Sequence, residues 1–178
     1  MLRISETSDL FLFHSMVPSG PIPTVYDPDG VYPYESYCET SRRSVLRRLR
    51  ILTLENDMVR ARICPDLGGR VVSLTHLPSG KETLHQSPAV RPIRILPRQF
   101  FIGGGIEVSF PISHSPVQTV SVLYETARRD GRIYAWCGER ELRFGMHWTV
   151  ELSLGEGRRI SHSGRWTAAS VLRFRPVR

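Results

Sequence analysis

Between residues 58 and 85 apolar and polar positions alternate with a period of two. In "MVRARICPDLGGRVVSLTHLPSGKETLH", Val59, Ala61 and Ile63 alternate with Arg60, Arg62 and Cys64. Pro65 to Gly69 is turn chemistry, Arg70 to Leu77 is rich in β-branched residues, and Pro78-Ser79-Gly80 turns the chain again. This predicts an antiparallel meander. The longest alternation is "ELRFGMHWTVELSL", with Leu142, Phe144, Met146, Trp148, Val150, Leu152 and Leu154 on one face. Arg143, Gly145, His147, Thr149, Glu151 and Ser153 fall on the other, so the spacing predicts a single strand across the whole segment. "GRIYAWCGERELRFG" reads as the hairpin that feeds it, with Gly138-Glu139-Arg140 at or near the turn.

Upstream the pattern is less regular. "VPSGPIPTVYDPDGVYPYESY" is crowded with proline and turn residues and predicts an extended segment without a regular element, lying across the body through Tyr26, Tyr32, Tyr34 and Tyr37. "SRRSVLRRLRILTLEN" supports two readings. Val45, Leu46, Leu49 and Leu52 form a helical stripe, whereas Leu49, Ile51 and Thr53 alternate as a strand, which is favoured for the second half. Many short strands joined by Gly and Pro turns define an all-β, antiparallel sandwich or barrel. Residues 1–37 are read as a Pro/Tyr-rich lead-in, 38–157 as the β domain and 158–178 as a separate tail.

At 178 residues, with 40% apolar content, the chain suffices for one domain with a sizeable core. The net charge of +7 raises nucleic acid or an acidic membrane as partners, but its location argues against both. From Arg158 onward there are six arginines and no carboxylate, so residues 1–157 carry 18 basic against 17 acidic side chains. The basic signal belongs to the tail "RRISHSGRWTAASVLRFRPVR", and the body has no basic stripe with interleaved aromatics. With 23 arginines and the single Lys81, the chain has the usage of a GC-rich coding sequence, and the tail is expected to be a non-native continuation of a longer gene. An intact longer transcript lacking it would bear this out. Cys38, Cys64 and Cys137 lie far apart without C-x-x-C spacing, which predicts free thiols and no zinc cluster. The N-terminus has an apolar run of only Leu10 to Phe13, neither a secretory signal nor a membrane span, so a cytoplasmic location is expected.

"FFIGGGIEVSFPISHSP" carries the candidate chemistry. A phosphate cradle needs glycines that open a helix, usually with a Lys and a Ser or Thr. Here Gly103-Gly104-Gly105 lead into Ile106, Val108, Phe110 and Ile112 at strand spacing, which predicts a bulge or a close backbone approach instead. Glu107 and Ser109 then point away from the apolar face. Glu107 and His114 are either a polar pair lining a sugar-sized cleft or a solvated strand carboxylate and a turn histidine. Ser113-His114-Ser115 is no nucleophile signature, because adjacent side chains of an extended segment diverge. His76 and His85 lack a ligating partner at metal spacing, so no metal is expected. Trp136 and Trp148 are the candidates for stacking on a sugar ring, and Trp148 is assigned to the core because it shares the apolar face.

The blocks "LEND...CPDLGGRV", "SGKE" and "GGGIEVSFPxxHxP", with "RFGMHWTVELSLGEG", resemble the domain-of-unknown-function family 5107 over about residues 31–157. That family is similar to the galactose mutarotase (aldose epimerase) superfamily. The resemblance implies an antiparallel β-supersandwich, here incomplete, whose concave sheet presents polar and aromatic groups to a sugar. It departs from the family block at Val108, Ser109 and Ser115-Pro116-Val117-Gln118, which leaves fewer donors for a sugar. In mutarotases a His acts as general acid on the ring oxygen while a Glu takes the anomeric proton. That Glu comes from the distal half, so Glu107 is not equated with it.

The resemblance implies a carbohydrate-binding or carbohydrate-modifying domain without metal or organic cofactor, while the charge placement and the short apolar runs predict no nucleic-acid or membrane partner. Any reaction would be acid/base work at an anomeric centre, for which this chain lacks the complete catalytic set. Glu107 and His114 are the catalytic candidates. Arg70, Arg98, Arg143 and His147 are the candidate substrate-binding residues. An arginine after Gly68-Gly69 also has a simpler use, pinning the turn to a carbonyl. The second reading is a truncated, non-catalytic β fragment that self-associates through uncovered sheet edges.

Overall fold

The computed structural model describes residues 1–21, 30, 33–34, 36–96, 99–110, 114 and 116–156. Strands β1 (Arg3–Gly20) and β2 (Ser36–Glu55) form a long antiparallel ribbon, with Arg3 opposite Glu55 and Leu12 opposite Leu46. β3 (Val59–Cys64), β4 (Arg70–His76) and β5 (Lys81–Glu82) continue it into a five-stranded sheet in simple sequence order. β6 (Ile93–Leu96) and β7 (Gln99–Phe101) make a two-stranded ribbon. β8 (Leu123–Arg129), β9 (Arg132–Arg140) and β10 (His147–Gly155) make a three-stranded sheet with β9 in the middle. Every pairing within these sheets is antiparallel, and among the described residues the only helical elements are three single 3-10 turns.

The two larger sheets pack face to face. Leu52, Leu54, Ile63 and Val71 of the first meet Ile133, Ala135, Cys137 and Trp148 of the second in one core. A second core lies on the other side of the five-stranded sheet, where Leu49, Ile51 and Cys64 pack with Phe13, Leu67, Val90 and Ile102. Near β2 and β3 the sheet is therefore covered on both faces, which is why Ile51 and Leu52, adjacent in sequence, are both fully buried. Cys64, on the polar side of the alternation by sequence, faces this second core. Burial pushes the thiols of both Cys64 and Cys137 up to about 12, so they are inert at neutral pH.

Three expectations need correction. The segment from Met1 to Gly20 is not lead-in but an edge strand, because its Ser, Thr and acidic residues pair through the backbone with β2 irrespective of side chain. β2 is a strand throughout, so the stripe of Val45, Leu46, Leu49 and Leu52 is not helical: Leu46 is exposed while Leu49 and Leu52 lie in different cores. The alternation from Leu142 to Leu154 is not one strand. Gly138, Glu139 and Arg140 belong to β9, and the turn runs through residues 142–145, leaving Leu142 and Phe144 exposed. Pro18 and its neighbours carry the register shifts that end the first ribbon.

The cause of that turn is Glu141, a fully buried carboxylate. It accepts from the backbone N–H of Arg143 at 2.6 Å and of Phe144 at 2.7 Å, and from the Tyr34 hydroxyl at 3.0 Å. Its own N–H donates to the Met146 carbonyl at 2.7 Å, and Gly145 supplies the left-handed residue at φ 67°. Glu141→Leu strands these three donors and is expected to cost about 2 kcal/mol, a fall of about 4–8 °C in Tm. Differential scanning calorimetry checks it; an unchanged Tm would remove Glu141 as the cause of the turn.

Acid sensitivity is built in at two carboxylates. Burial raises the proton affinity of Glu55, but hydrogen bonds from Arg60 and Arg3 outweigh it and hold the carboxyl below its ordinary value. At Asp66 burial is likewise outweighed by hydrogen bonds from Arg50, with the Ser121 hydroxyl adding 2.9 Å contact. Both groups are depressed in the folded state, so their contribution is complete above the unfolded values of about 4 and is lost as pH falls through the folded ones. Stability is expected to decline from about pH 4.5 downward, and Asp66→Asn is expected to flatten that decline in urea titrations at stepped pH. An equally steep decline in the variant would contradict the assignment.

Candidate functional site

The glycine triplet is shaped by close backbone approach. A Cβ on Gly104, at φ 79°, would lie 2.4 Å from the His85 carbonyl oxygen, and one on Gly105, at φ 72°, would lie 2.5 Å from that of Val71. Arg70 holds the triplet in place. Its guanidinium is buried and donates to the Gly104 carbonyl from Nε at 2.9 Å and from Nη2 at 2.6 Å. It also donates to the Ile102 carbonyl and, at 3.2 Å, to Gln118 Oε1. Gln118 in turn donates Nε2–H to the Phe100 carbonyl at 2.9 Å, and is almost wholly buried. Burial pushes the Arg70 pKa down, and the negative charge of Glu107 pulls it partly back. Arg70 therefore sits behind the candidate site as its support, with its donors committed to protein carbonyls.

After the triplet the chain crosses to the mouth of the inter-sheet core. Ile106 makes an isolated antiparallel bridge with Val71, its N–H and C=O both bonded there at 2.9 and 3.1 Å. Ile106, Val108 and Phe110 pack against that core, as the alternation predicts, but residues 107–110 join no sheet. Glu107 and Ser109 line, together with Ile106 and Val108, one mainly apolar cavity of about 240 Å³ between the sheets, so strand alternation does not separate them here. The structure joins Glu107 to His114, whose Nδ1 lies 3.0 Å from Oε1 and 3.1 Å from Oε2. Ser109 donates its hydroxyl to the same carboxylate and accepts the His114 N–H at 3.1 Å. The Phe101 ring meets the imidazole edge-on at 5.8 Å between centroids.

Two properties of His114 stand out. Its backbone lies at φ 51°, in the left-handed region that costs a β-carbon residue about 1 kcal/mol or more. Its Nε2 has no hydrogen-bond partner among the described residues, while Nδ1 is fixed by Glu107. A carboxylate on Nδ1 selects the tautomer that leaves Nε2 as the working atom, able to accept a proton when neutral and donate one when charged. Ser113 and Ser115, the flanking hydroxyls, lie outside the described residues.

The remaining sequence candidates are elsewhere. Arg98 lies outside the described residues. Arg143 lies in the β9–β10 turn, its guanidinium 4.8 Å from the centre of the Phe144 ring. His147 opens β10 on the face opposite Trp148, and Trp148 packs on Phe110 at 6.3 Å, so the sheet separates His147 from residues 106–110. Trp148 is core, as expected. Trp136 on that outer face donates Nε1–H to Glu151 at 2.8 Å and stacks on Tyr134 at 5.2 Å. Gln118 was not legible as a partner of Arg70; the resemblance block flagged its position only as a departure. Among the described residues no group of three or more His, Cys, Asp or Glu side chains is placed to hold a metal, and no helix is long and apolar enough to cross a membrane.

An antiparallel all-β sandwich with a carboxylate–histidine pair at the mouth of its core is the class these observations define. The chain belongs to the family described as domain of unknown function (DUF5107), which it matches over residues 26–167. Among solved structures it is similar to a TPR-domain containing protein from Parabacteroides distasonis ATCC 8503, at 53% identity and a TM-score of 0.81. The similarity covers 88% of this chain and 27% of that one, so the chain spans about a quarter of its relative's length.

Proposed function

We propose that the chain is a carbohydrate-binding or carbohydrate-modifying domain of galactose mutarotase-like fold, with His114 as the group that meets the sugar and Glu107 as its support. The observation that carries this reading is the imidazole held in a strained backbone conformation, with Nδ1 on a carboxylate and Nε2 unpartnered. A hydroxyl-rich ligand supplies both the donor and the acceptor that Nε2 needs in its two charge states. Acid/base transfer at an anomeric hydroxyl or ring oxygen is the reaction it would serve. No metal or organic cofactor enters this proposal.

A second reading is favoured by a different observation. Leu10, Leu12 and Leu46 are exposed on the ribbon face that, further along, carries Leu52 and Leu54 into the core. Val150, Leu152 and Leu154 are only partly covered on the facing sheet. On this reading the chain is a binding or self-association module, completed by pairing rather than by a ligand. A thermal melt with a panel of aldoses and short glycans, run beside light scattering, separates the two. A monomer whose cooperative transition is raised by one sugar class supports the first. An oligomer indifferent to every sugar supports the second and overturns the first.

A further inference from the structure

We infer that the outer face of the five-stranded sheet carries a second site, for a small polyhydroxylated ligand bearing an anionic group such as a sugar acid or sugar phosphate. The face is set by register. Arg3 lies opposite Glu55 and Glu55 opposite Arg60; Ser5 lies opposite Thr53 and Thr53 opposite Arg62. Alternation puts these six side chains on the side away from Leu52 and Leu54, hence away from the core whose mouth holds Glu107. Together with Ile4 and with Arg128 of β8, which reaches in from the facing sheet at the β1 edge, they line a depression of about 550 Å³, within the range of small-molecule sites.

The positive charge is in excess: Glu55 neutralises part of it, and Asp9, beside the lining, pairs with Arg62. Four arginines line the depression against one carboxylate, and that carboxylate, Glu55, is buried between Arg3 and Arg60. Each guanidinium commits only one nitrogen: Arg3 through Nη2 and Arg60 through Nε to Glu55, Arg62 through Nη2 to Asp9, and Arg128 through Nη2 to the Leu2 carbonyl at 2.6 Å. The other nitrogens have no hydrogen-bond partner among the described residues. Neither do the hydroxyls of Ser5 and Thr53, which sit side by side on neighbouring strands. Glu55 tethers Arg3 and Arg60, Asp9 tethers Arg62 and the Leu2 carbonyl tethers Arg128, which leaves free N–H groups on four guanidiniums for a carboxylate or phosphate. The two hydroxyls suit the ring oxygens of the molecule that bears it.

Calorimetric titration of the full chain with galacturonate, glucose 6-phosphate, galactose and inorganic phosphate tests this. At least one anionic sugar is expected to bind tenfold or more tightly than galactose, and to weaken as sodium chloride rises from 50 to 300 mM. Arg62→Gln, which leaves Glu55 with both its arginines, is expected to weaken that binding about tenfold, and Thr53→Val to weaken it less. The sugar acid and the sugar phosphate distinguish the two sources of the anion. Inorganic phosphate binding as tightly as either sugar would overturn the inference, as would galactose matching them in His114→Gly, where the other proposed site is removed, or Arg62→Gln leaving affinity unchanged. Tight, salt-sensitive binding of single-stranded RNA with none of these small anions would also overturn it. His114→Gly is expected to leave anion binding intact, so this site and the one proposed at His114 can fail separately.

Discussion

Arg70→Met is expected to lower stability by about 3–5 kcal/mol and Tm by about 10 °C, the largest thermodynamic effect of any single change considered in this chain. The guanidinium is the hub on which the Gly104 and Ile102 carbonyls and Gln118 Oε1 converge. Methionine fills much of the volume and offers no donor, so three buried acceptors lose their partner at once. Gly104 and Gly105 would then lose the contacts that hold their left-handed conformations against the His85 and Val71 backbones. Lysine should rescue little, because one ammonium cannot reproduce a planar fork that reaches two carbonyls and an amide oxygen. Urea unfolding of Arg70→Met and Arg70→Lys measures both. If Arg70→Lys matched the unsubstituted chain, Arg70 would be a charge rather than a scaffold.

His114→Gly is expected to separate function from stability. Glycine accepts φ 51° without strain, which returns about 1 kcal/mol, and the partly exposed pair with Glu107 contributes about that much in the other direction. Folding stability should therefore change by less than about 1 kcal/mol, whereas sugar affinity should fall about tenfold through loss of a hydrogen bond. If the domain turns substrate over, the rate should fall about 10²–10⁴-fold. Glu107→Gln is the informative companion, since it keeps a carbonyl acceptor for Nδ1 while removing the negative charge. It should weaken sugar binding less than His114→Gly does. A stability loss in His114→Gly equal to that of Arg70→Met would make His114 structural.

Sequence periodicity was a reliable guide wherever one strand face is buried and the other wet. Val59, Ala61 and Ile63 face inward, as their spacing requires, and so do Trp148, Val150, Leu152 and Leu154. It failed where tertiary context overrides it. Leu142 and Phe144 keep the rhythm of β10 but belong to a turn, because Glu141 caps the backbone and Gly145 reverses it. Arg3–Gly20 carries little apolar signal, since an edge strand is held by ladder hydrogen bonds that any side chain permits. At the site, His114 meets Glu107 from a left-handed backbone at φ 51°, which no period encodes. Arg70 had both roles open in the sequence, and its burial shows that it pins the glycine loop.

The most direct test of the proposed site is saturation-transfer NMR of an aldose panel against the purified chain and against His114→Gly. The account predicts transfer to one sugar class from the unsubstituted chain, strongest at the ring positions nearest the anomeric carbon, and its loss from a His114→Gly variant that still melts cooperatively. Equal transfer from both proteins, or none from the unsubstituted chain to any sugar, would contradict it.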